Sequence, residues 1–233
     1  MARLQMRTLA KWHIWLGWLV GVPIVMWLAT GLLMVARPIE EARGEHLRRD
    51  AEASPLVMPG STLATAEANL KEMRVVMQGG RAVAVLTDRD GAVRRVDMAS
   101  GAALPALDAA AARALVAERI VGGDKVRAVT LFPADRAPFD FRRPVAAWQV
   151  QLEDGTNVYV GRDTGEIEAV RTRWWRAFDL AWGLHIMDLS TREDTSHPVL
   201  ILFAALSLTG ALIGCVLMFR RLRAKATVTD RAA

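Results

Sequence analysis

Hydrophobic patterning cuts this chain into three parts. Trp12 to Ala36 and Thr195 to Phe219 contain no Asp, Glu, Lys or Arg, and each stops against basic residues. As a helix, either stretch covers roughly 38 Å at 1.5 Å per residue, enough to cross a hydrocarbon core of about 30 Å with some tilt. The pattern predicts transmembrane helices at 12–36 and 195–219, with short tails at 1–11 and 220–233. Between them the periodicity is that of a small soluble domain. Arg37 to Arg49 is dense in charge and reads as a helix leaving the membrane into a solvated stalk. Pro55 and Pro59 mark a linker, so 37–60 is stalk and linker. Ser61 caps a helical pattern running to Glu72. Strand-type runs follow at Arg74–Met77, Ala82–Thr87 and Ala92–Met98, with turn signals Gly79-Gly80 and Asp90-Gly91 between them. Leu107 to Ile120 is alanine-rich and helical in period. Val126–Phe132, Val145–Leu152, Asn157–Val160 and Glu166–Arg171 read as further strands.

The middle of the chain echoes itself. Asp90-Gly91 precedes Ser100-Gly101 by the same spacing that separates Asp154-Gly155 from Thr164-Gly165, and Val96 meets Val160 in that register. Such turn pairs are common singly, but the shared spacing and the helix before each set favour a duplication. The halves are 61–104 and 105–173, the second carrying a longer insertion around Ala134 to Pro144. Trp174 to Leu189 then places Phe178, Trp182, Ile186 and Leu189 at helical spacing, with Trp175 one turn earlier. It predicts an amphipathic helix and turn at 174–194, lying on the membrane surface. The fold class expected is thus an α+β extracytoplasmic domain, helix plus antiparallel sheet in duplicate, between two transmembrane α-helices.

The second half resembles the PepSY domain family. The resemblance rests on the alanine-rich helix, Trp148-Gln149-Val150-Gln151-Leu152, the turn Asp154-Gly155, Val158-Tyr159-Val160, and the closing Asp163-Thr164-Gly165-Glu166. Trp12-His13 with Gly17, then Thr30-Gly31, is similar to the first helix of PepSY-associated transmembrane proteins. Trp182-Gly183-Leu184-His185-Ile186-Met187-Asp188, His197-Pro198 and Leu208-Thr209-Gly210 are similar to their closing helix. The resemblance implies a bacterial inner-membrane protein linked to control of peptidases or to envelope iron and redox systems.

Composition adds orientation. The chain has 233 residues and a net charge of +5, with a pI near 10.1. The basic surplus sits beside the spans, in Arg3, Arg7 and Lys11 and again in Arg220, Arg221, Arg223 and Lys225, and not in a soluble patch suited to nucleic acid. Basic tails on both ends place both termini in the cytoplasm and the central domain in the periplasm. The first span is too long for a signal-peptide core, and Met34-Val35-Ala36 before Arg37-Pro38 is a poor cleavage site, so an uncleaved anchor is expected. Cys215 is the single cysteine, which excludes an intrachain disulfide.

Candidate chemistry is sparse. The sequence holds no P-loop, CxxC, HExxH or GxSxG motif. Asp90, Asp154 and Asp163 fall in turns, where aspartate bonds its own backbone. Tyr159, the only tyrosine, reads as strand packing. No catalytic residue and no resident metal is assigned, and the chain reads as a non-catalytic binding or accessory subunit. His13, Gly17 and Gly21 share one helix face, and Gly210 and Gly214 give the second span a matching small-residue face. On one account these glycines pack the spans, or two protomers, together, with His13 at the interface, giving a homo-oligomer or a larger membrane complex.

The other account is b-type haem. Larger members of the resembling family are iron-siderophore reductases with membrane histidines on haem, and His13, His185 and His197 fall where such ligands fall. One chain cannot bring His13 and His197 to one iron if they lie at opposite faces of the bilayer. His185 with His197, or His13 with its copy in a dimer, stay open. A weaker third idea is a metal site on Asp188, Glu193, Asp194 and His197, against which stands a hydrated helix cap. His46 reads as solvated.

Overall fold

A computed structural model describes residues 2–49 and 69–229. They fall into two compact units, Met1–Arg37 with Ala177–Ala233, and Pro38–Arg176.

The first unit is built on two long helices, α1 (Ala2–Val35) and α5 (Pro198–Thr229), packed along one another. By length and composition, Met6–Val35 and Pro198–Arg221 are the candidate spans. α1 begins well before the charge-free stretch, because residues 2–11 contain no proline or glycine to break it. It stops at Val35, ahead of Pro38, which disfavours helical geometry at Arg37. Pro198 opens α5, where a missing N–H costs nothing, so Thr195 to His197 precede the helix.

The amphipathic segment differs from its expected form. α4 (Arg173–His185) ends before Ile186 and Leu189, and Met187 takes a left-handed φ of 56°. Ile186 is buried and Leu189 exposed, so they do not extend one helical stripe. The cause is Asp188. Its carboxylate accepts the N–H groups of Ser190, Thr191, Glu193 and Asp194 and the hydroxyls of Ser190 and Thr191, winding 188–194 into a closed loop. That loop folds back on α4. Arg192 pairs with the buried Asp179, Trp182 Nε1 donates to the Arg192 carbonyl at 3.0 Å, and a Cβ at Gly183 would lie 2.8 Å from Arg192 Cγ.

In the second unit, β1 (Leu70–Gln78), β2 (Arg81–Asp88), β3 (Val93–Asp97) and β4 (Ala103–Leu104) form an antiparallel meander. β5 (Val126–Phe132), β6 (Ala147–Leu152), β7 (Asn157–Gly161) and β8 (Ile167–Arg171) form a second one. The echo in the sequence is an echo in hydrogen bonding. Asp88 N–H donates to Ala92 O and Gly91 N–H to Asp88 O; Leu152 N–H donates to Thr156 O and Gly155 N–H to Leu152 O. At the next turn, Asp97 N–H to Ala102 O and Gly101 N–H to Asp97 O recur as Gly161 N–H to Glu166 O and Gly165 N–H to Gly161 O. Gly91 and Gly155 share φ near +85° (85° and 84°), which a side chain rarely adopts, hence the repeated glycine.

Strand alternation in the second sheet sends Trp148, Val150, Leu152, Val158, Val160 and Val170 to one face. There α3 (Ala109–Arg119), capped by Asp108, packs Ala112 and Val116 against them, with Ile120 just beyond its end. The opposite face carries Ala147, Tyr159 and Ala169 under Phe141 of the insertion. Both faces of this sheet are therefore covered. The helix expected from Ser61 lies outside the described residues as far as 68, while Leu70 to Glu72 belong to β1.

The charged stalk also differs. Arg37-Pro38 interrupts the helix, α2 (Ile39–Arg43) is only five residues long, and Gly44 turns the chain at φ 71°. Ala42 is buried, a Cβ at Gly44 would meet Val170 Cγ1 at 2.7 Å, and Arg48 forms a β-bridge with Ile120. Residues 38–49 are thus packed onto the second sheet and do not stand free in solvent.

Candidate functional site

Within the Pro38–Arg176 unit, a groove of about 450 Å³ is bordered by β1, by the start of β8 and by the end of α3. Five arginines reach it: Arg48, Arg49, Arg74, Arg119 and Arg143. Three face a glutamate. Arg74 pairs with Glu166, Arg143 with Glu168 at 2.8 Å, and Arg119 with Glu118 at 3.4 Å. Burial pushes the Glu166 carboxyl above its ordinary range, opposed by Arg74 and reinforced by the nearby Glu168. Arg48 and Arg49 are different. Arg49 Nη1 donates to the carbonyls of Ala117 and Glu118 at the end of α3, and Arg48 Nη2 to Ile167 O at 3.4 Å. These bonds orient the guanidinium groups without neutralising them, leaving further N–H donors of each for a bidentate acceptor.

Sequence reasoning missed this groove. Arg48 and Arg49 stand in what reads as a solvated stalk, and their neighbours come from residues far along the chain. No local periodicity carries such a signal.

The two sheets are joined beside the groove by a polar chain. Arg95 Nη1 donates to Gln78 Oε1 at 3.0 Å, and Gln78 Nε2 to Thr164 O at 2.9 Å. On the far face of the second sheet, fully buried Tyr159 donates its hydroxyl to Asp140 Oδ1 at 2.5 Å and accepts from Gln149 Nε2 at 2.5 Å. Phe141 stacks on its ring at 4.5 Å. Asn157 Nδ2 donates to Asp140 Oδ2 at 3.1 Å, and Arg171 Nε to the Asp140 carbonyl at 2.7 Å. This cluster clamps the insertion to the sheet. It makes Tyr159 more than a packing residue.

The histidines of the helical unit sit as follows. His13 Nδ1 lies 3.0 Å from the Gly210 carbonyl; a carbonyl only accepts, so Nδ1 is the donor. A Cβ at Gly214 would lie 2.9 Å from His13 Cε1, and one at Gly210 would lie 3.7 Å from Leu16 Cβ. Gly210 and Gly214 are therefore where α1 and α5 approach. Gly17 and Gly21 are not, since a Cβ at either meets nothing within 4 Å.

His185 docks on α1. Its Nδ1 is 3.0 Å from Thr30 Oγ1, its carbonyl accepts from Trp27 Nε1 at 2.8 Å, and its Cε1 lies 3.6 Å from where a Gly31 Cβ would sit. Thr30 already donates to Met26 O at 2.7 Å, so His185 Nδ1 is again the donor. From residue 13 to residue 30 α1 rises about 26 Å, so His13 and His185 do not meet. Gly210 lies about 20 Å along α5 from His197, so His13 and His197 do not meet either. Asp188, far below the usual carboxylate range because the Thr191 hydroxyl and N–H donate to it, has its oxygens taken up by its own loop. Among the described residues no three His, Cys, Asp or Glu side chains are grouped to hold a metal ion. His46 is exposed in the short turn Glu45–Leu47.

Two apolar helices long enough to span a bilayer, flanking a duplicated pair of antiparallel sheets, define a two-span integral membrane protein with an α+β domain. A family model described as PepSY-associated TM region matches residues 10–233, and the chain belongs to that family. Neither the curated proteins nor the solved structures gave a match.

Proposed function

We propose that this membrane PepSY protein is a non-catalytic accessory subunit whose α+β domain holds a partner protein or peptide. The observation that carries the reading is the groove, with Arg48 and Arg49 oriented by backbone carbonyls and facing no counter-charge among the described residues. The basic tails support an inner-membrane orientation with both termini cytoplasmic and the domain periplasmic. Gly17 and Gly21, where a Cβ would meet nothing within 4 Å, leave α1 a small-residue face for a further helix, which supports membership of a homo-oligomer or larger complex. A photo-crosslinker at Arg119, with one at Arg127 on β5 as control, tests it in intact membranes. A discrete adduct from the groove position alone is expected. No adduct from either position, in membranes that yield other periplasmic crosslinks, overturns it.

A second reading, b-haem in an electron-transfer or iron (siderophore) reductase system, is favoured by one observation. His13 and His185 each anchor Nδ1–H on an oxygen, the bond that a ligating imidazole makes through its other nitrogen. Within one chain these two do not fit one haem, being about 26 Å apart along α1. On this reading the second axial ligand comes from His197, in the case of His185, or from another copy. When bound, the haem would supply one-electron transfer; the chain's part is to hold the imidazole tautomer. An optical spectrum of protein purified after expression with haem supplied decides it: absence of a Soret band removes the reading.

A further inference from the structure

Resting on the partner-binding reading above, we propose that the groove takes an extended acidic peptide, paired through its backbone with the free edge of β1 and through its carboxylates with Arg48 and Arg49.

Two independent features converge on that chemistry. The first is the strand edge. Among the described residues β1 pairs with β2 alone, as the outermost strand of its sheet. Gly79 and Gly80 both have positive φ (56° and 75°), giving a two-residue turn that closes on Gln78 and Arg81 as a hydrogen-bonded pair. Hydrogen-bonded positions alternate along an antiparallel pair, so Met77 and Val75 turn their N–H and C=O away from β2. Val76, Met77 and Gln78 border the groove, and among the described residues this edge is an open template for an added strand.

The second feature is charge. With Arg74, Arg119 and Arg143 each facing a glutamate, the described residues leave the groove the two guanidinium charges of Arg48 and Arg49. A strand laid on β1 presents alternate side chains to one side, so carboxylates at every second position reach these arginines together. A phosphate or a lipid headgroup would use the charge and leave the backbone edge unmet. Only a peptide uses both.

The test uses the full chain in a neutral detergent and a fluorescent heptapeptide, Ala-Glu-Val-Glu-Val-Glu-Ala, blocked at both ends, followed by anisotropy. Saturable binding that weakens with salt is expected. The acidic peptide is also made in two forms, N-methylated along one edge or the other. The Lys-for-Glu peptide, and whichever N-methylated form blocks the edge facing β1, should each bind about tenfold more weakly or worse. Arg48→Glu should move the preference toward the lysine peptide. The N-methylated peptides leave the protein untouched, so the test survives a variant that folds badly. Equal binding of acidic and both N-methylated forms overturns the edge pairing. Displacement by inorganic phosphate, or by vesicles rich in anionic lipid, at concentrations comparable to the peptide overturns the peptide assignment. If the acidic peptide fails while the groove crosslinker still captures a protein, this inference falls and the partner reading stands; if both fail, both fall.

Discussion

Tyr159 offers a test of the domain that reads a single atom. It is the only tyrosine in the chain, so tyrosinate absorbance near 295 nm reports it alone. Burial holds its phenol well above the ordinary value of about 10, and the hydrogen bond and negative charge of Asp140 add to this, partly offset by Gln149 and Asn157. In unfolded protein a phenol is about nine-tenths ionised at pH 11. In the native protein no tyrosinate should appear there. A raised native pKa makes the native state bind more protons than the unfolded one above pH 10, so this contribution to stability is complete below that pH and declines as pH climbs toward the native pKa. Tyr159→Phe keeps the stacking on Phe141 and removes the hydroxyl, leaving Asp140 Oδ1 without its donor and Gln149 Nε2 without its acceptor. For a buried hydrogen bond to a charged group the cost is about 2–3 kcal/mol. In a domain of this size that lowers the thermal midpoint by roughly 5–10 °C. The assay is an absorbance titration of folded protein, with near-ultraviolet circular dichroism recorded on the same samples to show that the fold persists. A tyrosinate transition centred near pH 10 in protein that retains its near-ultraviolet spectrum would refute the buried network.

Three further outcomes are expected. Leu16→Cys with Gly210→Cys, in a Cys215→Ser background, should form an intrachain disulfide on mild oxidation, because the two Cβ positions lie 3.7 Å apart, within the disulfide range of about 3.5–4.5 Å. Adding Gly214→Val should lower the yield by displacing His13, and Gly17→Ala or Gly21→Ala should not; the readout is gel mobility with and without reductant. Asp188→Ala should speed amide exchange at Ser190, Thr191, Glu193 and Asp194 by about tenfold or more. Because hydrogen bonding depresses the Asp188 carboxyl, its stabilisation holds above the unfolded carboxyl range and is lost only as pH falls through the native value, so the wild-type loop should stay protected in mild acid. Gly101→Ala should cost about 1–2 kcal/mol for positive φ in open space. Gly165→Ala should cost more by calorimetry, since its Cβ would lie 2.6 Å from Arg95 Nη1 and 2.9 Å from Gln78 Oε1.

Features with a short-range cause were legible in the sequence. The charge-free spans, the Asp-Gly turns and the alternation around Tyr159 are each dictated within a few residues, and the structure carries them as helices and hairpins. The duplication was legible because repeated turns need glycine at repeated positions. Failures came where a distant partner decides. Leu70 to Glu72 continue a helical pattern but pair with β2. The stripe from Phe178 to Leu189 keeps helical spacing past the point where Asp188 gathers the backbone into a loop. Spacing places His13, Gly17 and Gly21 on one side of α1; a Cβ at Gly210 or Gly214 would meet Leu16 or His13 there, while one at Gly17 or Gly21 would meet nothing within 4 Å. The arginines of the groove were invisible for the same reason, since residues 48, 74, 119 and 143 converge only after folding.

The two copies have used one shared scaffold for different tasks. Arg95 on β3 and Tyr159 on β7 occupy matching positions between matching turns, and the strand residues beside them, Val96 and Val160, are core in both. Side chains at these two positions leave the sheet on the face opposite the valines. Arg95 uses that face to bond Gln78, which in turn bonds Thr164 in the second copy, so it spends its donors on joining the halves. Tyr159 uses it to grip Asp140 and hold down an insertion the first copy lacks. With the turn geometry the same in both copies, the matching positions thus make different contacts, Arg95 at the junction between the copies and Tyr159 at the insertion, and the groove lies beside that junction.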